Sequence, residues 1–172
     1  STHDLTADEE NKLLSRIEEI VNANSIDVLI LQDYNKGVLT SNVITKCIQL
    51  CKKNNIPTAV DPKLKHFLSY KGVTLFKPNL KEINEGLNLE VSGDNLESLK
   101  AAIEALEGEL ENQISFVTLS ENGVVINEGG NFIHLPAHQR DIVDVSGAGD
   151  TVISVAALCL ARGANIKELA EL

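Results

Sequence analysis

Near the end of this 172-residue chain, the stretch Asp144-Val145-Ser146-Gly147-Ala148-Gly149-Asp150 sets two glycines around an alanine, with a carboxylate at either end. An apolar, helix-like run follows directly. Small residues at a helix start leave backbone N–H groups without intrahelical acceptors and let an anion approach them, and the helix dipole adds partial positive charge. The pattern is not a P-loop, because no Lys-Ser/Thr follows the glycines. A cradle built from Gly147, Ala148 and Gly149 suits a transferring phosphoryl group, whose oxygens must be stabilised as it moves. Asp150, in the first turn, has the type and place to take a proton from an attacking hydroxyl. It equally suits the ordinary role of a first-turn carboxylate favoured by the dipole, and spacing alone leaves both open.

Four further segments with suggestive side chains follow predicted strands: Asp33-Tyr34-Asn35-Lys36-Gly37, Asp61-Pro62-Lys63, Lys77-Pro78-Asn79-Leu80-Lys81-Glu82 and Ser120-Glu121-Asn122-Gly123. Each alone is what a turn needs. Together they can line one rim, since sites in open α/β sheets lie beyond the carboxyl ends of the strands. Asn79 and Glu82 have the spacing of a helix-capping pair, and the same two residues form a hard-oxygen pair able to order Mg²⁺ through water. His134 and His138 are separated by Pro136 at what reads as a strand end, so they share no helical face and receive no metal. His3 and His66 read as isolated and exposed.

Positioning these residues requires alternating strands and helices. Thr6 to Glu9 has capping-box spacing and starts a helix whose apolar face carries Leu13, Ile17, Ile20 and Val21. Residues 26–32 form an apolar run, read as a strand buried on both faces. Residues 41–55 place Ile44, Ile48 and Cys51 at helical spacing. Residues 56–60 and 73–76 read as the next strands. A helix starts after Asn79, and a stronger one spans 96–108 with Leu96, Leu99, Ile103 and Leu106 on one side. Residues 114–120 form another apolar strand, and 123–127 with 131–136 form a hairpin around Glu128-Gly129-Gly130. Residues 150–163 are apolar nearly all round and end at Gly163, which predicts a buried helix. Asn165 is placed to cap one more helix. The alternation predicts an α/β fold with a largely parallel sheet.

Composition sets the outer bounds. Hydrophobic residues are 43% and aromatics 3%, so a real core must rest on aliphatic side chains. The formal charge of −10 argues against broad binding to nucleic acid or anionic membrane, while leaving local phosphate binding through backbone N–H groups and single lysines. Three cysteines make no disulfide framework, and Cys47 and Cys51 read as reduced core residues. No signal peptide or membrane-length apolar stretch is visible, so a cytoplasmic location is expected. Ser1 opens the chain, and the last helix starts without a stop signal, which suggests a piece of a longer protein.

With these residues in order, the chain resembles the C-terminal part of ribokinase-like (PfkB-type) carbohydrate kinases over roughly residues 26–163. The stretches Asp144–Asp150, Asn79–Glu82, Val117–Gly123 and Asp33–Gly37 carry the likeness. Residues 27–40, 59–63 and 70–84 are similar to a narrower branch, the kinases of D-glycero-β-D-manno-heptose 7-phosphate. The resemblance implies a three-layer α/β/α fold, ATP and Mg²⁺ as cofactors, and phosphate transfer to a sugar hydroxyl. In the heptose branch the product is the 1,7-bisphosphate, a precursor of lipopolysaccharide core sugar. It implies Asp150 as catalytic base, with Gly147, Ala148 and Gly149 as anion hole. Asn79, Leu80, Lys81 and Glu82 would serve ATP and, through water, Mg²⁺. Ser120 and Gly123 would lie along the nucleotide. Lys63 and Lys77 would stand near the phosphates, with Asp33 and Lys36 towards the sugar phosphate. Val145 replaces the family's usual Thr, and Ser120 a usual Gly. The N-terminal sugar-binding and lid part and the C-terminal end are absent from 1–172. An isolated piece is therefore expected to be inactive, and the full-length protein to be a homodimer. Kinases of other sugars are the nearest alternative, and a non-catalytic nucleotide-binding module is an alternative of another class. No Gly-x-Gly-x-x-Gly follows an early strand, which speaks against a dehydrogenase.

Overall fold

The computed structural model describes residues 3–23, 26–137, 147–163, 165, 168 and 169. Asp144, Val145, Ser146 and His138 lie outside them. Six strands form one sheet in chain order: β1 (Leu29–Gln32), β2 (Thr58–Asp61), β3 (Leu75–Phe76), β4 (Ile114–Thr118), β5 (Val124–Glu128) and β6 (Asn131–Leu135). β1 to β4 run parallel, and β5 is antiparallel to both of its neighbours, β4 and β6. The β5–β6 turn consists of Gly129 and Gly130 at φ +56° and +85°, the left-handed pair that a tight hairpin needs.

Strand alternation sorts the core into two layers. Leu31, Val60, Phe76, Val117 and Val125 face a helical layer of α2 (Ser41–Lys53), α3 (Leu80–Leu87) and α4 (Leu96–Leu110), with α1 (Ala7–Asn22) packed outside α2. Ala59, Leu75, Phe116 and Ile126 face the opposite way, onto α5 (Ala148–Ala161) through Ile153, Ala156 and Ala157. The result is the expected α/β/α arrangement. Cys47 and Cys51 are buried, unpaired thiols of the helical layer, and burial pushes both up to about 11. Among the described residues no helix is long and apolar enough to cross a membrane.

Local rules place most helix ends. Thr6 and Glu9 form the reciprocal capping box at α1, and Asn165 and Glu168 exchange the same pair of hydrogen bonds further on. Two burial expectations need correction. β1 is not buried on both faces: Ile30 is 37% exposed, because the buried cluster on the α5 side is built over β2 to β5 and does not include it. α5 is not buried all round: Leu158 is 65% exposed, because the sheet covers one flank of the helix. Helix α4 also runs past Gly108 to Leu110, and Glu111, left-handed at φ +54°, ends it.

Candidate active site

The alternation that sorts the core also builds the site. One step beyond Leu31, Val60 and Phe76, at the carboxyl ends of β1, β2 and β3, come Gln32, Asp61 and Lys77. All three therefore turn to the α5 face. The parallel register sets Gln32 beside Asp61, and Lys77 N–H donates to Val60 O at 2.8 Å. Lys77 Nζ lies 3.1 Å from Asp61 Oδ1, the two side chains being 5% and 14% exposed. Burial pushes the Asp61 carboxyl above the ordinary aspartate range, and the Lys77 ammonium pulls it only part of the way back.

Helix α5 begins directly over this pair. Gly147 is its N-cap, left-handed at φ +80°, and, being glycine, it brings no side chain to the first-turn N–H groups. A Cβ on Gly149 would sit 3.7 Å from Lys77 Nζ and 4.0 Å from Asp61 Oδ2. The glycine thus keeps open the space above the ion pair. Asp150, exposed in the first turn, accepts from Gln32 Nε2 through Oδ1 at 2.5 Å and from the Tyr34 hydroxyl through Oδ2 at 3.1 Å. The bond to Asp150 holds the Tyr34 phenol above its ordinary range.

A second group lies on the same rim. Asn79 caps α3: its Oδ1 accepts from Glu82 N–H at 2.8 Å, and its own N–H donates to Glu82 Oε2 at 3.0 Å. Glu82 Oε1 pairs with Lys63 Nζ at 2.8 Å. Burial works against the Lys63 charge, but the Glu82 contact and the neighbouring Asp61 and Asp33 carboxylates outweigh it and raise its pKa. Capping and chemistry are thus not exclusive readings of Asn79 and Glu82. As a magnesium site this is one hard carboxylate held at a rim and not a closed cage, which fits an ion that keeps its waters and takes phosphate oxygens as ligands.

The remaining sequence-predicted residues divide. Leu80, Lys81 and Ser120 line, with Asn79, Thr118 and Asn122, an open cleft of about 1030 Å³ beside the rim. Ser120 is left-handed at φ +52°, which is the conformational reason a glycine suits that position. Gly123 is buried at φ +87°, where a Cβ would stand 2.0 Å from Leu135 O; it shapes the turn rather than lining the cleft. Asp33 is buried under the rim: Oδ1 accepts from Asn35 N–H at 2.6 Å and Oδ2 from the buried Tyr70 hydroxyl at 3.1 Å. Lys36 is exposed on the same loop. His66 is not isolated: it is half-buried, with Nδ1 3.2 Å from Ser41 Oγ. His134 bonds through Nε2 to Asn122 O at 2.8 Å.

Comparison with known proteins decides the family. The family model described as pfkB family carbohydrate kinase matches residues 3–172. The chain belongs to the pfkB family of carbohydrate kinases. Curated relatives named Bifunctional protein HldE include one from Aliarcobacter butzleri, 36% identical over 98% of this chain and 34% of its own length. One from Campylobacter jejuni is 41% identical over 95% of this chain and 34% of its own length. The chain thus spans about a third of these relatives. Phosphofructokinase-2 from Escherichia coli in complex with potassium shares the fold at a TM-score of 0.83 and 21% identity, over 97% of this chain and 53% of that one. Arabidopsis thaliana ribokinase complexed with ribose and ATP does so at 0.70 and 17%, over 98% and 50%.

Within this PfkB chain, sequence reasoning assigned no role to Gln32, Tyr34 or Asp61. Tyr34 and Asp61 stood inside suggestive loops, but Gln32 closed an apolar run and looked like its end. The signal was alternation. Counting from a core-facing residue in each strand turns Gln32, Asp61 and Lys77 to one face, once it is known which face carries α5.

Proposed function

We propose that this chain is the phosphoryl-transfer part of an ATP-dependent sugar-phosphate kinase, a partial ribokinase-like domain spanning 1–172. Its acceptor is D-glycero-β-D-manno-heptose 7-phosphate, phosphorylated at O1. The observation that carries the reading is the Asp150 carboxylate in the first turn of α5, beside an uncapped glycine start and above the Lys77–Asp61 pair. The heptose rests on the stretches that resemble that branch and on relatives 36% and 41% identical.

In this reading Asp150 receives the proton of the acceptor hydroxyl as its oxygen attacks the γ-phosphorus. The bond from that phosphorus to the bridging oxygen breaks, and ADP leaves with the electron pair. First-turn N–H groups of Gly147 to Gly149 stabilise the charge gathering on the phosphoryl oxygens, with the Lys77 ammonium adding a fixed positive charge below. Glu82, held by the Asn79 cap, is the residue to hold Mg²⁺ through water; bound there, the ion would neutralise charge on the ATP phosphates. Lys63 stands ready to pair with the same phosphates. The cleft along Leu80, Lys81 and Ser120 suits the nucleotide, being of a size usual for ligand sites.

The test is ATP consumption by the full-length protein with the heptose 7-phosphate, ribose, fructose or fructose 6-phosphate, with and without Mg²⁺. Mg²⁺-dependent turnover on the heptose phosphate alone is the expected result. Turnover on another sugar keeps the mechanism and replaces the acceptor. ATP binding without turnover on any of them sinks the catalytic reading.

A further inference from the structure

The two groups that hold Asp150 differ in mounting. Gln32 is the last residue of β1, half-buried and fixed by the register that sets it beside Asp61. Tyr34 sits on the loop two residues on, 59% exposed. Each occupies one oxygen of the same carboxylate, Gln32 as an amide donor and Tyr34 as a hydroxyl donor. A hydroxyl donating to the Asp150 carboxylate is also what an acceptor sugar presents before transfer. An amide on a rigid strand can fix the plane of the carboxylate through a reaction. An exposed phenol on a loop can leave at little cost, since solvent replaces its bond.

We infer that Gln32 is a positioning residue that orients the Asp150 carboxylate throughout turnover, whereas the Tyr34 hydroxyl holds the place of the acceptor hydroxyl and is displaced when substrate binds. This rests on Asp150 being the base. Around Asp150, Lys77 and Asp61 lie beneath the neighbouring Gly149, and Asp61 and Lys63 act on the Tyr34 phenol.

The two roles separate in the split between kcat and KM. A group that fixes the carboxylate through turnover is read in kcat, whereas a group that must be displaced competes with the acceptor and is read in KM. The experiment measures both constants for the acceptor, under single-turnover conditions for the chemical step, in full-length protein carrying Gln32→Leu, Tyr34→Phe or Asp150→Asn, with ATP affinity measured alongside as a check on folding. For Gln32→Leu kcat should fall by about tenfold or more, with acceptor KM and ATP affinity kept. For Tyr34→Phe acceptor KM should fall by about threefold or more, with kcat changing less than KM. A Gln32→Leu enzyme with kcat kept overturns the positioning role. A Tyr34→Phe enzyme with acceptor KM unchanged or raised overturns the displacement. If Gln32→Leu does not fold, Gln32→Met removes the same donor and carries the same test. Asp150→Asn tells the two levels apart: its retained turnover refutes the base itself, while its loss beside unchanged Gln32 and Tyr34 constants refutes only this inference.

Discussion

Asp150 is polar, exposed and locally unremarkable, yet it carries two hydrogen bonds from residues more than a hundred positions away. Asp150→Asn preserves shape and removes the proposed base, so turnover of the full-length protein should drop by at least ~10²-fold while ATP affinity is largely kept; steady-state kinetics with a binding isotherm checks both halves. Ser120 offers a test of a different kind. Its left-handed backbone at φ +52° costs a residue with a Cβ something that glycine avoids. Ser120→Gly should therefore stabilise the fold, by up to about 1 kcal/mol in urea titrations. Gly123→Ala should do the reverse, by about 1–3 kcal/mol or more from the backbone conformation alone, since its methyl would also meet Leu135 O.

At the scale of elements, what could be read from the sequence was what is local. Thr6 with Glu9, Asn79 with Glu82 and Asn165 with Glu168 are each three residues apart, and their caps form from spacing alone. The Lys77–Asp61 pair and the Gln32–Asp150 bond were not legible in that way. They exist only once the sheet is in register and α5 has been assigned a face. The exposure of Ile30 and Leu158 was hidden for the same reason, because hydrophobicity states what a residue prefers and not which neighbour covers it. The α1 cap yields a pH prediction. Hydrogen bonds from the Thr6 backbone N–H and hydroxyl hold the Glu9 carboxyl below its ordinary range. A lowered folded-state pKa adds stability above the unfolded-state value and loses it as pH falls through the folded value. Wild type should thus be more stable than Glu9→Gln at neutral pH, and the gap should close in acid below about pH 4. Thermal melts across that range decide it. Thr6→Ala should cost about 1 kcal/mol at neutral pH.

At the scale of the molecule, the two sides of the sheet are unequal among the described residues. The layer of α2, α3 and α4 joins a larger set of buried side chains than the α5 side does among the described residues. Ile103→Ala, at the centre of the larger layer, should cost about 2–5 kcal/mol and shift the denaturation midpoint of the whole domain. Asp150 rides on the lighter side, whereas Asn79, Glu82 and Lys63 are anchored to the heavier one. Opening of α5 alone would part the base from Gln32 while leaving the Asn79–Glu82 cap intact. Amide hydrogen exchange should accordingly be faster along α5 than along α4. Gentle heating should then silence phosphoryl transfer before it releases the nucleotide side of the site, so the lifetime of activity would be set by the docking of one helix and not by the stability of the fold.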